Sequence, residues 1–176
     1  LHEALGFFKA WKGKLKANTV MYSSLIKGFA QRRDTAGAME MYEMMKEEGV
    51  TMNTICFNSL IDSCARVGSM DQAAKLLEDM TKLGIDLDLI TYSTIIKGYC
   101  IKGDLEQALA VFHSMHEHDM HADAIIYNTL LDGCVKHGRF ELADRLLTDM
   151  GSYNIVPSNF TLTILVKMWG RRHQLD

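Results

Sequence analysis

Five short polar side chains recur at a fixed interval: Ser23, Asn58, Ser93, Asn128 and Thr163 stand 35 residues apart. A second set, Asn18, Asn53, Asp88, Asp123 and Ser158, keeps the same interval. Hydroxyl, carboxamide and carboxylate groups on short stems offer a donor, an acceptor or both, and here the choice changes from copy to copy. A third set, Val20, Ile55, Ile90, Ile125 and Phe160, is always apolar and suited to lying against a flat face, while Arg66, Lys136 and Arg171 form a cationic set. The chemistry on offer is recognition of an edge, a face and a negative charge rather than the making or breaking of bonds.

Signals for catalysis are missing. The sequence has no phosphate-cradling glycine loop, no HExxH pair and no Ser, His and acid set that stands apart from the 35-residue interval. An enzyme and a cofactor are therefore not expected. His113 and His116 share a helix face near His118 and His121, but without further ligands at defined spacing they are read as solvent-facing, with no metal. Cys56, Cys64, Cys100 and Cys134 contain no CxxC pair and are read as packed, reduced thiols.

Those side chains need elements to hold them. Apolar residues make up 48% of the 176 positions, charged residues 23%, and there is a single proline, which describes a soluble chain able to bury a continuous core. It carries no apolar run long enough for a membrane span and no visible targeting segment. Leu1 in place of an initiator methionine points to a piece of a longer chain. The interval divides the sequence into repeats at 19–53, 54–88, 89–123 and 124–158, flanked by a half repeat at 1–18 (second helix only) and another at 159–176 (first helix only). Together they are expected to form one solenoid domain, because a repeat of this kind cannot bury its apolar face alone.

Each repeat reads as two helices. Tyr22, Leu25, Ile26 and Phe29, then Phe57, Leu60, Ile61 and Cys64, follow the i, i+3, i+4, i+7 stripe of a helix with one buried face. Gly68, Gly103 and Gly138 interrupt at a fixed place, where Arg33 stands in the first repeat; a left-handed residue there ends the helix. The second helix carries Ala38, Ala73, Ala108 and Ala143 and then Met45, Met80, Met115 and Met150, read as small contact residues and flexible core filler. At about 100° per residue, the second, fifth, ninth and thirteenth positions of the first helix lie opposite the buried stripe. The polar, apolar and cationic sets above occupy that outer side, with the last residue of each repeat beside it.

The segments YNTLLDG, KHGR and ELADRLLTDM and the 35-residue length resemble a pentatricopeptide repeat protein of the P type, across essentially the whole chain. The tetratricopeptide repeat, with 34 residues and a W-x2-L-G-x2-Y opening, is not matched. The resemblance implies an all-α, right-handed superhelical solenoid that belongs to a longer array. Single-stranded RNA suits the outer face: helical repeats can read one base each, with apolar groups on the base faces and polar groups on the Watson–Crick edge. Val20, Ile55, Ile90, Ile125 and Phe160 would sandwich bases, and Asn18, Ser23, Asn53, Asn58, Asp88, Ser93, Asp123, Asn128, Ser158 and Thr163 would read them.

Arg66, Lys136 and Arg171, at the thirteenth position, would contact phosphates, whereas Gln31 and Ile101 predict weak contact in the first and third repeats. The net charge of −3 weighs less than its distribution, because acidic residues concentrate on the second helices and basic ones at the ends of the first. The resemblance further implies RNA processing, stability, editing or translation in a mitochondrion or chloroplast, with N-terminal repeats toward the 5′ end. It implies a pair code as well: Ser23 with Asn53 for adenine, Asn58 with Asp88 for uracil, Ser93 with Asp123 for guanine, Asn128 with Ser158 for a pyrimidine leaning to cytosine, hence 5′-AUGC-3′. A scaffold for an extended peptide is the alternative. Phe7, Phe8 and Trp11 at one end, and Leu165, Val166 and Trp169 at the other, predict end-to-end self-association through the half repeats.

Overall fold

The short polar residues that end each repeat also begin the next one. A computed structural model describes residues 2–11 and 17–172, with α1 (His2–Trp11) followed by first helices α2 (Thr19–Gln31), α4 (Thr54–Arg66), α6 (Leu89–Lys102), α8 (Ala124–Lys136) and α10 (Asn159–Arg172). The second helices are α3 (Thr35–Glu47), α5 (Met70–Lys82), α7 (Leu105–Glu117) and α9 (Phe140–Ser152), and the described residues contain no strand. Asn18, Asn53, Asp88, Asp123 and Ser158 each accept the N–H three residues on, at 3.1, 3.0, 2.8, 3.0 and 3.3 Å. An exposed helix N-terminus loses about 1 kcal/mol without such a cap. Helix capping is therefore one reason why this position is held to Asn, Asp and Ser.

The turns are set by left-handed residues. Gly68, Gly103 and Gly138 have φ of 76°, 84° and 70°, and Arg33 adopts 61° in the same role. The N–H of the following residue reaches back across the turn, as Ser69 does to the Cys64 carbonyl at 2.9 Å and Arg139 to that of Cys134 at 2.9 Å, which closes the helix end. Asp119 and Asn154 take left-handed φ where Gly49 and Gly84 stand in earlier repeats, consistent with the local hydrogen bonding that lets Asp and Asn adopt it.

Two compact units emerge, Leu1–Thr91 and Tyr92–Asp176. In the first, α2 packs on α3 and α4, and α4 on α3 and α5. Tyr22, Ile26, Phe57, Ile61, Ala38, Ala73, Met45 and Met80 are fully buried there, and the Tyr42 hydroxyl donates to Asp79 Oδ2 at 2.6 Å. In the second, α8 packs on α7, α9 and α10, around Tyr127, Leu131, Ala108, Ala143 and Met115. The aspartate equivalent to Asp79, Asp149, is met instead from a first helix, by the Tyr127 hydroxyl, which donates to its Oδ2 at 3.1 Å. The four cysteines are free and buried. Burial pushes the Cys100 thiol up to about 12 and that of Cys134 to about 11, so both are inert packing groups.

At the ends the picture is mixed. Phe8 is buried, its ring 5.1 Å from that of Tyr22, while Phe7 is exposed; the side chain of Trp11 lies outside the described residues. On α10, Leu165 is half-buried and Val166 and Trp169 are exposed. No described helix is long and apolar enough to cross a membrane.

Candidate nucleic-acid interface

Hydrophobic side chains normally fill a core, so a regular set left in water needs a reason. Val20, Ile55, Ile90, Ile125 and Phe160, the second residues of five successive first helices, are 71, 61, 64, 66 and 59% exposed. The fully buried residues of the same helices, such as Tyr22, Phe57 and Tyr127, point the other way, as the helical period requires.

Each of these apolar residues has polar candidate readers near it in its repeat, and the structure brings several of them together within each compact unit. In the first compact unit Asn58 Nδ2 donates to Asp88 Oδ1 at 3.2 Å, joining the fifth and last residues of one repeat. Burial acts to raise the Asp88 carboxyl, but hydrogen bonds from the Thr91 hydroxyl and backbone, the Asn58 amide and the Ile90 N–H outweigh it and hold the group below the usual carboxylate range. Asp88 is an acceptor only. In the second unit Asn128 and Ser158 meet through Thr161, whose hydroxyl donates to Asn128 Oδ1 at 2.8 Å and lies 3.3 Å from Ser158 Oγ. Ser23 donates to the Thr19 carbonyl of its own helix at 2.6 Å and lies 3.0 Å from Cys56 Sγ. Asp123 uses Oδ1 on the N–H groups of Ile125 and Ile126; Ser93 is half-buried. Thr163 donates to the Asn159 carbonyl. None of the fifth-position residues is a helix cap.

A profile of the PPR repeat family matches residues 17–66, 52–101 and 122–170, and a PPR repeat profile matches 90–120. The chain belongs to the PPR repeat family. No curated protein matches it by sequence. Among solved structures, the pentatricopeptide repeat protein PPR10 from maize is 24% identical over 94% of this chain and 24% of its own, with a TM-score of 0.84. PPR10 in complex with an 18-nt psaJ RNA element gives the same identity and coverage and a TM-score of 0.82. The PPR domain of Arabidopsis thaliana protein-only RNase P 1, solved in complex with tRNA, is 17% identical over 96% of this chain and 89% of its own, TM-score 0.78. The chain thus spans about a quarter of PPR10.

In this PPR array the three cations expected to meet phosphates each have a partner within the chain. Arg66 Nε lies 2.6 Å from Asp62, Lys136 Nζ 2.6 Å from Asp132, and Arg171 Nη1 donates to the Val135 carbonyl at 2.8 Å. All three are engaged within the chain. The ninth position of the same outer stripe holds Lys27, Asp62, Lys97, Asp132 and Lys167. Where the thirteenth residue is neutral, Gln31 or Ile101, the ninth is an exposed lysine, and Lys27, Lys97 and Lys167 join no ion pair among the described residues. The sequence signal for this pairing is an acid four residues before each of Arg66 and Lys136, the spacing at which helical side chains meet. An open groove of about 450 Å³ in the second compact unit is lined by Lys97, Asn128, Asp132, Lys136 and Phe160, so it holds a candidate polar reader, an exposed ring and two lysines.

The histidine expectation needs correction. His116 is half-buried rather than solvent-facing, stacked on Tyr153 with centroids 5.6 Å apart and edge-on to Phe112. Burial first, then the neighbouring His121, lowers its tendency to protonate. No grouping of three metal-ligating side chains occurs among the described residues.

Proposed function

We propose that the chain binds single-stranded RNA, one base per repeat, within the wider organellar work of RNA processing, stability, editing or translation that the family resemblance implies. The observation that carries this is the row of exposed apolar residues at a 35-residue interval, each beside a fixed polar pair. PPR10 and the RNase P 1 domain have both been solved with RNA, which supports the class of ligand. In the first compact unit, Val20 and Ile55 would hold one base and Ile55 and Ile90 the next; in the second, Ile125 and Phe160 would hold another.

Base edges rationalise the last residue of each pair. Uracil and guanine carry a ring N–H at the centre of the Watson–Crick edge, whereas adenine and cytosine carry a bare ring nitrogen there. Asp88 and Asp123 can only accept and so suit the former; Asn53 and Ser158 can donate and suit the latter. The fifth residue would divide by size, with Ser23 and Ser93 leaving room for a purine and the longer Asn58 and Asn128 reaching a pyrimidine. The proposed core is 5′-AUGC-3′.

Anisotropy titrations of an AUGC-containing single strand over a range of salt test the assignment. Affinity is expected to be modest and to fall steeply with salt. Lys27→Ala should reduce the magnitude of the log–log salt slope by about 0.7, while removing the neutral pair with Asp62→Ala and Arg66→Ala together should leave it nearly unchanged. Binding that ignores salt, or that an extended peptide displaces as well as RNA does, would favour a peptide scaffold. The exposed Val166 and Trp169 on α10 support self-association as a secondary property. Sedimentation at high protein concentration is expected to show a dimer that Trp169→Ser abolishes; a monomer throughout removes this element.

A further inference from the structure

Among the described residues only four polar side chains are buried: Ser63, Thr91, Asn128 and Thr161. Ser63 is satisfied by Thr35, 2.9 Å away. The other three belong to the reading face, where a buried polar group must be hydrogen-bonded to be tolerated. Thr91 and Thr161 are the third residues of their repeats, and each is completely buried against the asparagine of the repeat before it.

Resting on the base-reading proposal above, we propose that Thr91 and Thr161 are positioning residues for base selection, each fixing which end of the preceding repeat's asparagine amide faces the RNA. The geometry is a relay. Thr161 Oγ1 accepts the Ser158 N–H at 2.9 Å and donates its own proton to Asn128 Oδ1 at 2.8 Å, the shorter of its two side-chain contacts. The Thr91 hydroxyl repeats this with Asn58 Oδ1 at 2.7 Å, receiving the Asp88 N–H at 3.4 Å, and shares its proton with Asp88 Oδ1, also at 2.7 Å. With the carbonyl end held, Nδ2 is the end left to meet a base, and an amide that reads as a donor is distinguished from one that reads as an acceptor. An unpinned amide presents either end at little cost and loses that distinction.

The two sites differ in one useful way. Asn58 is oriented twice, because its Nδ2 also donates to the Asp88 carboxylate; an acceptor-only group would repel the amide's oxygen. In the fourth repeat the equivalent residue is Ser158, which can donate or accept, so Thr161 alone orients Asn128. The serine-bearing repeats have no such hydroxyl: the third residue of the next repeat is Cys56 after Ser23 and Ile126 after Ser93, and the Ser23 proton goes to its own helix at the Thr19 carbonyl. Base choice at one repeat is therefore set partly by a buried residue of the next.

Competition binding with RNAs varied at one base tests this in the intact chain. Thr161→Val keeps the shape and removes the hydroxyl. It should lower the preference for cytosine over the other bases at the fourth position by about fivefold, the effect of one neutral hydrogen bond, without changing the salt dependence. Thr161→Ser should restore it. Thr91→Val should act on the second base only, and by less, because Asp88 still holds the amide. Variants that bind RNA with unchanged preferences, or that lose selectivity at both positions alike, overturn the proposal. A wild-type chain that binds RNA with no preference at either base takes down the base-reading assignment itself, and this inference with it.

Discussion

Asn58→Ser is expected to convert the second base of the preferred RNA from uracil to guanine. The substitution gives the second repeat the Ser and Asp combination that the third already has in Ser93 and Asp123. Shortening the side chain removes the amide that touches Asp88 at 3.2 Å and opens space for a two-ring base between Ile55 and Ile90. Asp88 remains, and the bonds from the Thr91 hydroxyl and backbone and the Ile90 N–H, which help hold it below the usual carboxylate range against the opposing effect of burial, are untouched. It stays an acceptor, so both the old and the new base must carry a ring N–H. Because that carboxyl titrates below its ordinary range, selection against adenine and cytosine should persist at pH values where an ordinary carboxylate begins to protonate, and fail only beneath them. Exchanging one edge contact is worth about 1 kcal/mol or somewhat more. Competition between AUGC and AGGC RNAs for both proteins gives the answer. An unchanged preference would sink the pair code while leaving RNA binding in place.

A large stability loss is expected from adding one methyl group to α8. A Cβ on Gly133 would stand 2.8 Å from Cys100 Sγ, 2.9 Å from Cys100 Cβ and 3.3 Å from Leu105 Cδ2. Cys100 and Leu105 are both buried, so neither can swing into solvent, and α8 must move as a body. Overpacking of this kind costs about 1–3 kcal/mol. Gly133→Ala should lower the urea midpoint accordingly, and Cys100→Ala in the same chain should recover part of the loss by coupling. Since α8 carries Asn128 and Lys136, the fourth-base preference should weaken with it. A Cβ on Gly151, in α9, would meet nothing within 4 Å; Gly151→Ala should be neutral or slightly stabilising. Equal losses at both positions would mean that glycine conformational freedom, not close approach, sets the requirement at Gly133.

Local signals in the sequence were sufficient for everything that repeats. The 35-residue interval, the buried stripe from Tyr22 to Phe29, the buried methionines and the turn glycines all follow from helical period and backbone conformation, which involve residues at most a few positions apart. Even Arg33 takes the left-handed turn expected of its position, because its neighbours demand that conformation whatever side chain stands there. The pairing of Asp62 with Arg66 and of Asp132 with Lys136 was legible too, at i,i+4 spacing.

Contacts between repeats were not legible, because helical period says which way a side chain points and not what it meets. Thr91 reaches Asn58 across 33 residues, Thr161 reaches Asn128 across the same separation, and His116 finds Tyr153 to stack on. These partners depend on how closely one helix lies on the next, which the bulk of buried residues such as Cys100 and Gly133 decides. The sequence alone determined the helices, their buried faces and the row of candidate readers. Only the tertiary structure decided how those candidate readers are held: which amides are pinned by a neighbour's hydroxyl, and that the Arg171 guanidinium is taken up by the Val135 carbonyl of α8. The physical reason is that hydrogen-bond direction and ion pairing fall off within a few ångströms, a scale set by packing rather than by period.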